Sequence, residues 1–425
     1  MLKPKPTQGD ISWFVHDRFG MFIHWGLYAL PSRHEWVLSQ EQIPPEEYQK
    51  YFERFNPTLY DPRQWAKAAR EAGMKYVVIT SKHHEGFCLW DSAYTDYKAT
   101  NTLYGKDLLK PFVEAFRAEG LRVGFYYSLL DWHHPDFLID VFHPLRNRPD
   151  VAQLNAGRDM RRYAEYMRNQ VRELLTQFDP DILWCDFSYP GSDYQGLPGK
   201  GRADWESEKL YALIREIKPT IILNNRMDLP VAADIHTPEQ WQPVDWLRVD
   251  GEPVVWEACQ TFSGSWGYHR DEQSWKDAGQ LIRLLVNTVA RGGNLLMNVG
   301  PTSLGTFDPR ALASLAVYRD WMARHSEAVY GCTMSDFAEP QDCRLTQKGD
   351  KLYVHIYAWP FKHLHIANMA DKVTYARFLH DGSEVNMKIP EWYAQQMQIP
   401  PNTLILDLPV RQPDVVVPVI ELSLK

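Results

Sequence analysis

Long apolar runs are missing from this sequence. Across 425 residues no stretch approaches the ~18 consecutive apolar positions that a membrane-crossing helix needs, so no membrane partner is expected. The opening residues, MLKPKPTQGD, have no apolar core of the kind a secretion signal carries, and a soluble, unsecreted protein is the expectation. Cysteine is scarce too. Cys88, Cys185, Cys259, Cys332 and Cys343 are scattered, odd in number and never spaced as CxxC. That argues against a disulfide framework or a structural zinc site and fits a reducing cytoplasm. Excess positive charge is also absent: 46 Lys and Arg stand against 54 Asp and Glu, a net −8, so nucleic acid is not an expected partner. No GxGxxG follows the first expected strand, and no nucleotide cofactor is expected.

Aromatic residues, by contrast, are plentiful. Sixteen Trp and 22 Tyr supply flat rings with polar edges, which suit sugars because C–H faces stack on them while hydroxyls take hydrogen bonds. Hydrophobic residues at 44% and charged residues at 24% describe an ordinary globular chain, long enough for one barrel and a smaller unit. Short apolar or β-branched runs predict strands at 20–25, 75–81, 121–128, 180–186, 220–224, 253–258 and 293–299. Apolar residues three and four apart predict helices at 62–72, 106–119, 158–178, 203–217, 272–291 and 308–326. Strand–helix alternation repeated this often favours an α/β fold with a (β/α)8-like barrel over residues 1–335. After Gly331 the pattern turns to period two, as in 351–358 and 403–409, which predicts a C-terminal β-sandwich over 336–425.

Barrel enzymes carry their chemistry at the C-terminal ends of the strands. Here those ends are polar: His24 closes the first strand, His83-His84-Glu85 follow the second, Tyr126-Tyr127-Ser128 end the third, and Trp184-Cys185-Asp186 end the fourth. Each taken singly reads as a satisfied polar cap, but four together point to a site. Asp186 beside Trp184 would place a carboxylate against an aromatic wall, and glycoside hydrolysis needs a second one. Glu35, Asp131, Glu239, Glu252 and Glu257 are the candidates. The residues alone do not choose among them, since Glu257 in Val255-Trp256-Glu257 looks as good as Glu239.

The segments FGMFIHWG, HEWV, YVVITSKHHEGFCLW, VGFYYSLLDWHHP, LWCD, NNRM, TPEQ, SWGY and RGGNLLMNVGPTSLGT occur in that order. Across nearly the whole barrel this resembles the α-L-fucosidases of glycoside hydrolase family 29. The resemblance implies a retaining exo-glycosidase with a (β/α)8-like domain and a C-terminal β-sandwich, acting on fucosylated glycans without a cofactor or metal. It implies Asp186 as nucleophile and Glu239 in TPEQ as general acid/base, with Glu257 the fallback. It further implies that His24, Glu35, Trp36, His83, His84, Tyr127, Trp184, Arg226 and Trp266 bind the sugar. Imidazoles and a carboxylate can grip the fucose hydroxyls, and aromatic rings can wall its methyl group. The chain departs from the commoner family pattern at Glu85, where Asp is frequent, and at His236 before the TPE tripeptide. An extended loop is expected over 190–202.

Two rival readings stay in view. His24, His83, His84, His133, His134 and Asp186 could serve a metal-dependent hydrolase, or the pocket could bind fucose without chemistry. A homo-oligomer is expected. The segment from Pro390 to Met397 carries Trp392, which either packs its own loop or meets a neighbouring subunit near that subunit's active-site mouth.

Overall fold

The computed structural model describes residues 2–191, 193–388 and 391–425. Its first domain is built on seven parallel strands: β1 (Phe19–Ile23), β2 (Tyr76–Lys82), β3 (Arg122–Ser128), β4 (Ile182–Asp186), β5 (Ile222–Leu223), β6 (Glu257–Thr261) and β7 (Asn294–Val299), in the order β6-β7-β1-β2-β3-β4-β5. The ends of this order are joined by residues 235–239. Isolated parallel bridges pair Ile235 with Asn224 on one side, and His236 with Trp256 and Glu239 with Cys259 on the other. That segment is the eighth stave and closes the barrel.

The main outer helices are α1 (Pro62–Glu71), α2 (Leu109–Ala118), α3 (Met160–Phe178), α4 (Ser207–Ile217), α5 (Ala278–Ala290) and α6 (Pro309–His325). Their starts are written locally. Asp61, Asp159 and Asp308 each accept a hydrogen bond from a first-turn backbone N–H, with Pro at the first helical position of α1 and α6, and Asp277 forms a capping box with Gln280. The inner face of the strands meets in an aromatic core of Phe22, Tyr76, Tyr126 and Trp184, while the outer face packs on the helices.

The eighth stave is the exception. Between β5 and the stave there is a single 3-10 turn, Pro230–Ala232, and between the stave and β6 a small hairpin, Arg248–Val249 with Glu252–Pro253. The N-terminal segment lies along this side instead of a helix: Lys5 N–H donates to Pro253 O, Gly9 N–H to Asp234 Oδ1 and Asp10 N–H to Thr220 O, at 2.8–2.9 Å. A groove of about 690 Å³, lined among others by Gln8, Tyr211, Val231, His236 and Val249, runs behind the stave.

The second domain has a five-stranded antiparallel sheet and a two-stranded one packed over a common core of Leu345, Val354, Ile366, Leu406 and Ile420. Its first strand, Thr333–Met334, pairs with Cys343–Lys348, so the sandwich begins slightly before residue 336. Arg291 to Glu339 at 2.8 Å and Trp321 Nε1–H to Val417 O at 3.2 Å tie it to the barrel. Pro390 lies outside the described residues. Glu391–Gln396 is a short helix on which Trp392 is 59% exposed. The expected loop after Asp186 contains a hairpin, Asp193–Tyr194 with Leu197–Pro198, and a turn of helix, Arg202–Trp205. No described helix is long and apolar enough to cross a membrane.

Candidate active site

A pocket opens at the C-terminal ends of the staves. It is lined by Phe22, His24, Glu35, Trp36, His83, His84, Tyr126, Trp184, Asp186, Phe187, Arg226, Glu239, Cys259 and Trp266. Asp186, the last residue of β4, lies on its floor with a side chain only 10% exposed. Tyr126 donates its hydroxyl to Oδ2 at 2.8 Å, and Arg226 Nη1 donates to Oδ1 at 2.8 Å. Burial raises the Asp186 pKa, and the adjacent guanidinium opposes that shift.

Glu239 sits at the end of the eighth stave, 42% exposed at the rim. Its Oε2 accepts from the same Arg226 Nη1, again at 2.8 Å. The two carboxylate oxygens are therefore no more than twice 2.8 Å, or 5.6 Å, apart. A closest approach of this size is compatible with the ~5–5.5 Å carboxyl spacing of retaining glycosidases. Arg226 is fixed on its other edges by Thr237, with Nε on the hydroxyl at 3.0 Å and Nη2 on the carbonyl at 3.1 Å, and its guanidinium carbon stands 4.4 Å from the Trp184 ring centre. Burial works against its charge, but the two carboxylates hold its pKa above the ordinary arginine value.

The imidazoles are neutral. Burial lowers His24 to about 3 and pushes His83 and His84 well below 6.5. Their tautomers follow from their partners. Asn298 donates its amide to Trp266 O, so its Oδ1 accepts from His24 Nδ1 at 2.7 Å. Ser128 donates to Leu130 O, so its hydroxyl oxygen accepts from His84 Nδ1 at 2.7 Å. Each ring thereby keeps Nε2 as an acceptor. Glu35 accepts the Gly267 N–H at 2.8 Å, which opposes the upward shift that burial imposes on it. The turn that presents His83 and His84 depends on Gly86: its φ is +82°, and a Cβ there would lie 2.2 Å from Asp131 Oδ1.

The family model described as Alpha-L-fucosidase matches residues 5–327. The chain belongs to the α-L-fucosidase family. The plasma α-L-fucosidase of Homo sapiens is 30% identical over 382 residues, covering 82% of this chain and 76% of that protein. Among solved structures, α-L-fucosidase isoenzyme 1 from Paenibacillus thiaminolyticus is 45% identical with a TM-score of 0.91, covering 98% of both chains. A family 29 α-L-fucosidase from Bacteroides thetaiotaomicron, trapped as a covalent intermediate with 2-fluoro-fucosyl fluoride, is 28% identical with a TM-score of 0.83, covering all of this chain and 98% of that one.

Within this fucosidase framework, every residue that the resemblance implies as nucleophile, acid/base or sugar contact lines the pocket except Tyr127, while the further candidates Asp131, paired with Lys82, and Glu252, on the hairpin, lie outside it. Tyr127 is a correction: it pairs with Cys185 on the outer face, donates its hydroxyl to Gln170 of α3 at 2.8 Å and packs under Lys82. Its neighbour Tyr126 pairs with Trp184 and faces inward. Strand alternation could have shown this, because Trp184 and Asp186 define the inner face of β4 and register carries that face to Tyr126 and Ser128. Phe22, Phe187 and Cys259 are further pocket residues that the motifs did not single out. Glu257 is not at the rim at all. It is fully buried beneath the pocket, with both oxygens taken by Tyr76 and Trp184. His133 stacks on Tyr97 and His134 packs on Tyr166, and among the described residues no group of three or more His, Cys, Asp or Glu is arranged to hold a metal ion.

Proposed function

We propose that Asp186 is the nucleophile and Glu239 the general acid/base of this retaining α-L-fucosidase. The observation that carries the assignment is the shared Arg226 nitrogen, which draws one oxygen of each carboxylate together, as a retaining pair requires. Their exposures divide the roles. The enclosed Asp186 meets the sugar at the floor, while the half-exposed Glu239 stands where a leaving group departs and water arrives.

In the first step an Asp186 oxygen bonds to the anomeric carbon as the glycosidic bond breaks, and the departing oxygen takes the Glu239 proton. In the second, water gives a proton back to Glu239 and its oxygen displaces Asp186. The acceptor nitrogens of His24 and His84, together with Glu35, face a pocket otherwise walled by Trp36, Trp266, Phe22 and Phe187, which suits a deoxysugar with hydroxyls on one part and a methyl group on another. The five free thiols are all buried, which supports a reducing, cytoplasmic setting.

The test is azide rescue of Asp186→Ala and Glu239→Ala on an activated aryl α-L-fucoside. The nucleophile variant should yield β-fucosyl azide and the acid/base variant α-fucosyl azide. The same anomer from both would overturn the assignment.

A further inference from the structure

We propose that Glu257 is a positioning residue for the fucosidase reaction: from beneath the pocket floor its carboxylate holds and polarises the Trp184 indole, and through that ring it fixes the Arg226 guanidinium that grips both catalytic carboxylates. The proposal rests on the roles given above to Asp186 and Glu239.

Glu257 opens β6 and is completely buried. Among the described residues it forms no ion pair, an expensive position for a carboxyl group that only packed. Its oxygens are instead used one each: Oε2 accepts from Tyr76 at 2.5 Å and Oε1 from Trp184 Nε1 at 3.2 Å. Trp184 stands between β4 and the pocket, stacked with Tyr126 at 5.7 Å and 22°, and with the Arg226 guanidinium 4.4 Å from its ring centre. Tyr126 and Arg226 are also the two groups that bond Asp186. One indole therefore contacts both supports of the nucleophile, and Glu257 is the polar anchor of that indole.

An N–H donated to a carboxylate leaves the indole ring richer in electrons, which strengthens its attraction for a cation over its face. It also fixes the tilt of the ring. Arg226 holds Asp186 and Glu239 through one nitrogen, so a small shift of the guanidinium changes the spacing of both, and displacement reactions are sensitive to such shifts. Burial raises Glu257 to about 7. The titratable or charged groups facing it are Tyr76 on β2, Arg226 after β5 and Cys259 on its own strand. The ionised, more strongly polarising form accordingly gains population as pH rises through neutrality.

The experiment is a double-mutant cycle on Glu257→Gln and Trp184→Phe, with kcat and KM for an aryl α-L-fucoside measured from pH 5 to 8. Gln keeps the shape and removes the charge; Phe keeps a ring and removes the N–H while leaving Glu257 intact, so either variant reads the link if the other folds poorly. Each should lower kcat about tenfold at pH 8, and Glu257→Gln, which does not touch the pocket, should change KM less than about twofold. The double variant should lose about the same tenfold, since both changes cut one link. The Glu257→Gln deficit should shrink toward pH 5, where the wild-type carboxyl is itself protonated. Additive losses, or a deficit independent of pH, would overturn the proposal, as would wild-type kcat in Glu257→Gln. The azide test decides Asp186 and Glu239 separately: identical anomers there leave this coupling measurable, and additivity here leaves the anomers unchanged.

Discussion

The Tyr126 hydroxyl donates to Asp186 Oδ2 at 2.8 Å across adjacent strands, so the floor of the pocket holds its carboxylate by a phenol as well as by a cation. A hydrogen bond to a charged group contributes about 1.5–3 kcal/mol. Tyr126→Phe should therefore lower kcat/KM about tenfold or more. It should also move the acid limb of the pH profile upward, because the anionic form of Asp186 loses a donor while burial already raises its pKa. An acid limb at its wild-type position would show that the phenol does not support the nucleophile.

Leaving-group dependence separates the two carboxylates. Asp186→Asn should abolish turnover of every fucoside, since no covalent intermediate can form. Glu239→Gln should spare aryl fucosides with acidic phenols and damage natural glycans by a further factor of 10²–10⁴, the usual worth of general acid catalysis. Equal losses on both substrate types would remove Glu239 from the role.

Stability should fall on acidification. Burial lowers His24, His143 and His355 to about 3 from 6.5. Between those values the unfolded chain binds protons that the fold refuses. Their contribution is thus complete above 6.5 and lost as pH drops toward 3, about 1.4 kcal/mol per pH unit for each ring. Glu85 acts in the opposite sense. Burial raises it to about 8 from 4.5, so it is protonated in the fold where the unfolded chain is ionised, and it removes stability as pH rises between those values. The melting temperature measured from pH 4 to 9 should peak near neutrality; a flat profile below pH 6 would contradict the imidazole assignment.

Prolonged treatment with EDTA should leave activity unchanged, since the proposed steps use only side chains and water. Loss of activity restored by zinc or manganese would revive the metal-hydrolase reading.

Trp392 is exposed, which weakens the reading in which it packs its own loop. Trp392→Ala should leave the melting temperature unchanged, lower the assembled mass by light scattering, and reduce kcat/KM on a fucosyl disaccharide more than on an aryl fucoside. Unchanged mass and kinetics with a lower melting temperature would restore the packing reading.

Most of the barrel was legible in the sequence because its strands are continuous apolar runs bounded by polar ends. The expected 75–81, 180–186 and 293–299 correspond to Tyr76–Lys82, Ile182–Asp186 and Asn294–Val299. The eighth stave was not, since Ile235-His236-Thr237-Pro238-Glu239 contains a proline, lacks a β-branched run and pairs only through isolated bridges. The choice between Glu239 and Glu257 was invisible for a related reason. Both end or begin short polar–aromatic segments, and only the closed barrel puts one at the rim and the other under the floor. Tyr126 was missed for Tyr127 because a family motif names a dipeptide, whereas the pleat selects one member of it.

The two carboxylates proposed for catalysis stand on foundations of different stiffness. Asp186 ends a strand paired on both sides and packed against α3 and α4, so the position of its carboxylate is set by a hydrogen-bonded ladder. Glu239 ends a stave with no helix behind it, only the N-terminal segment and a groove. Within this flank the hairpin at 248–252 is exposed, so added chain there meets little packed structure, while the Arg226–Thr237 contacts keep the Glu239 carboxylate in register with Asp186. With Glu239 as the proposed proton donor, the exposed hairpin beside its stave is the place on this flank where new leaving-group contacts can be grafted without rebuilding the core.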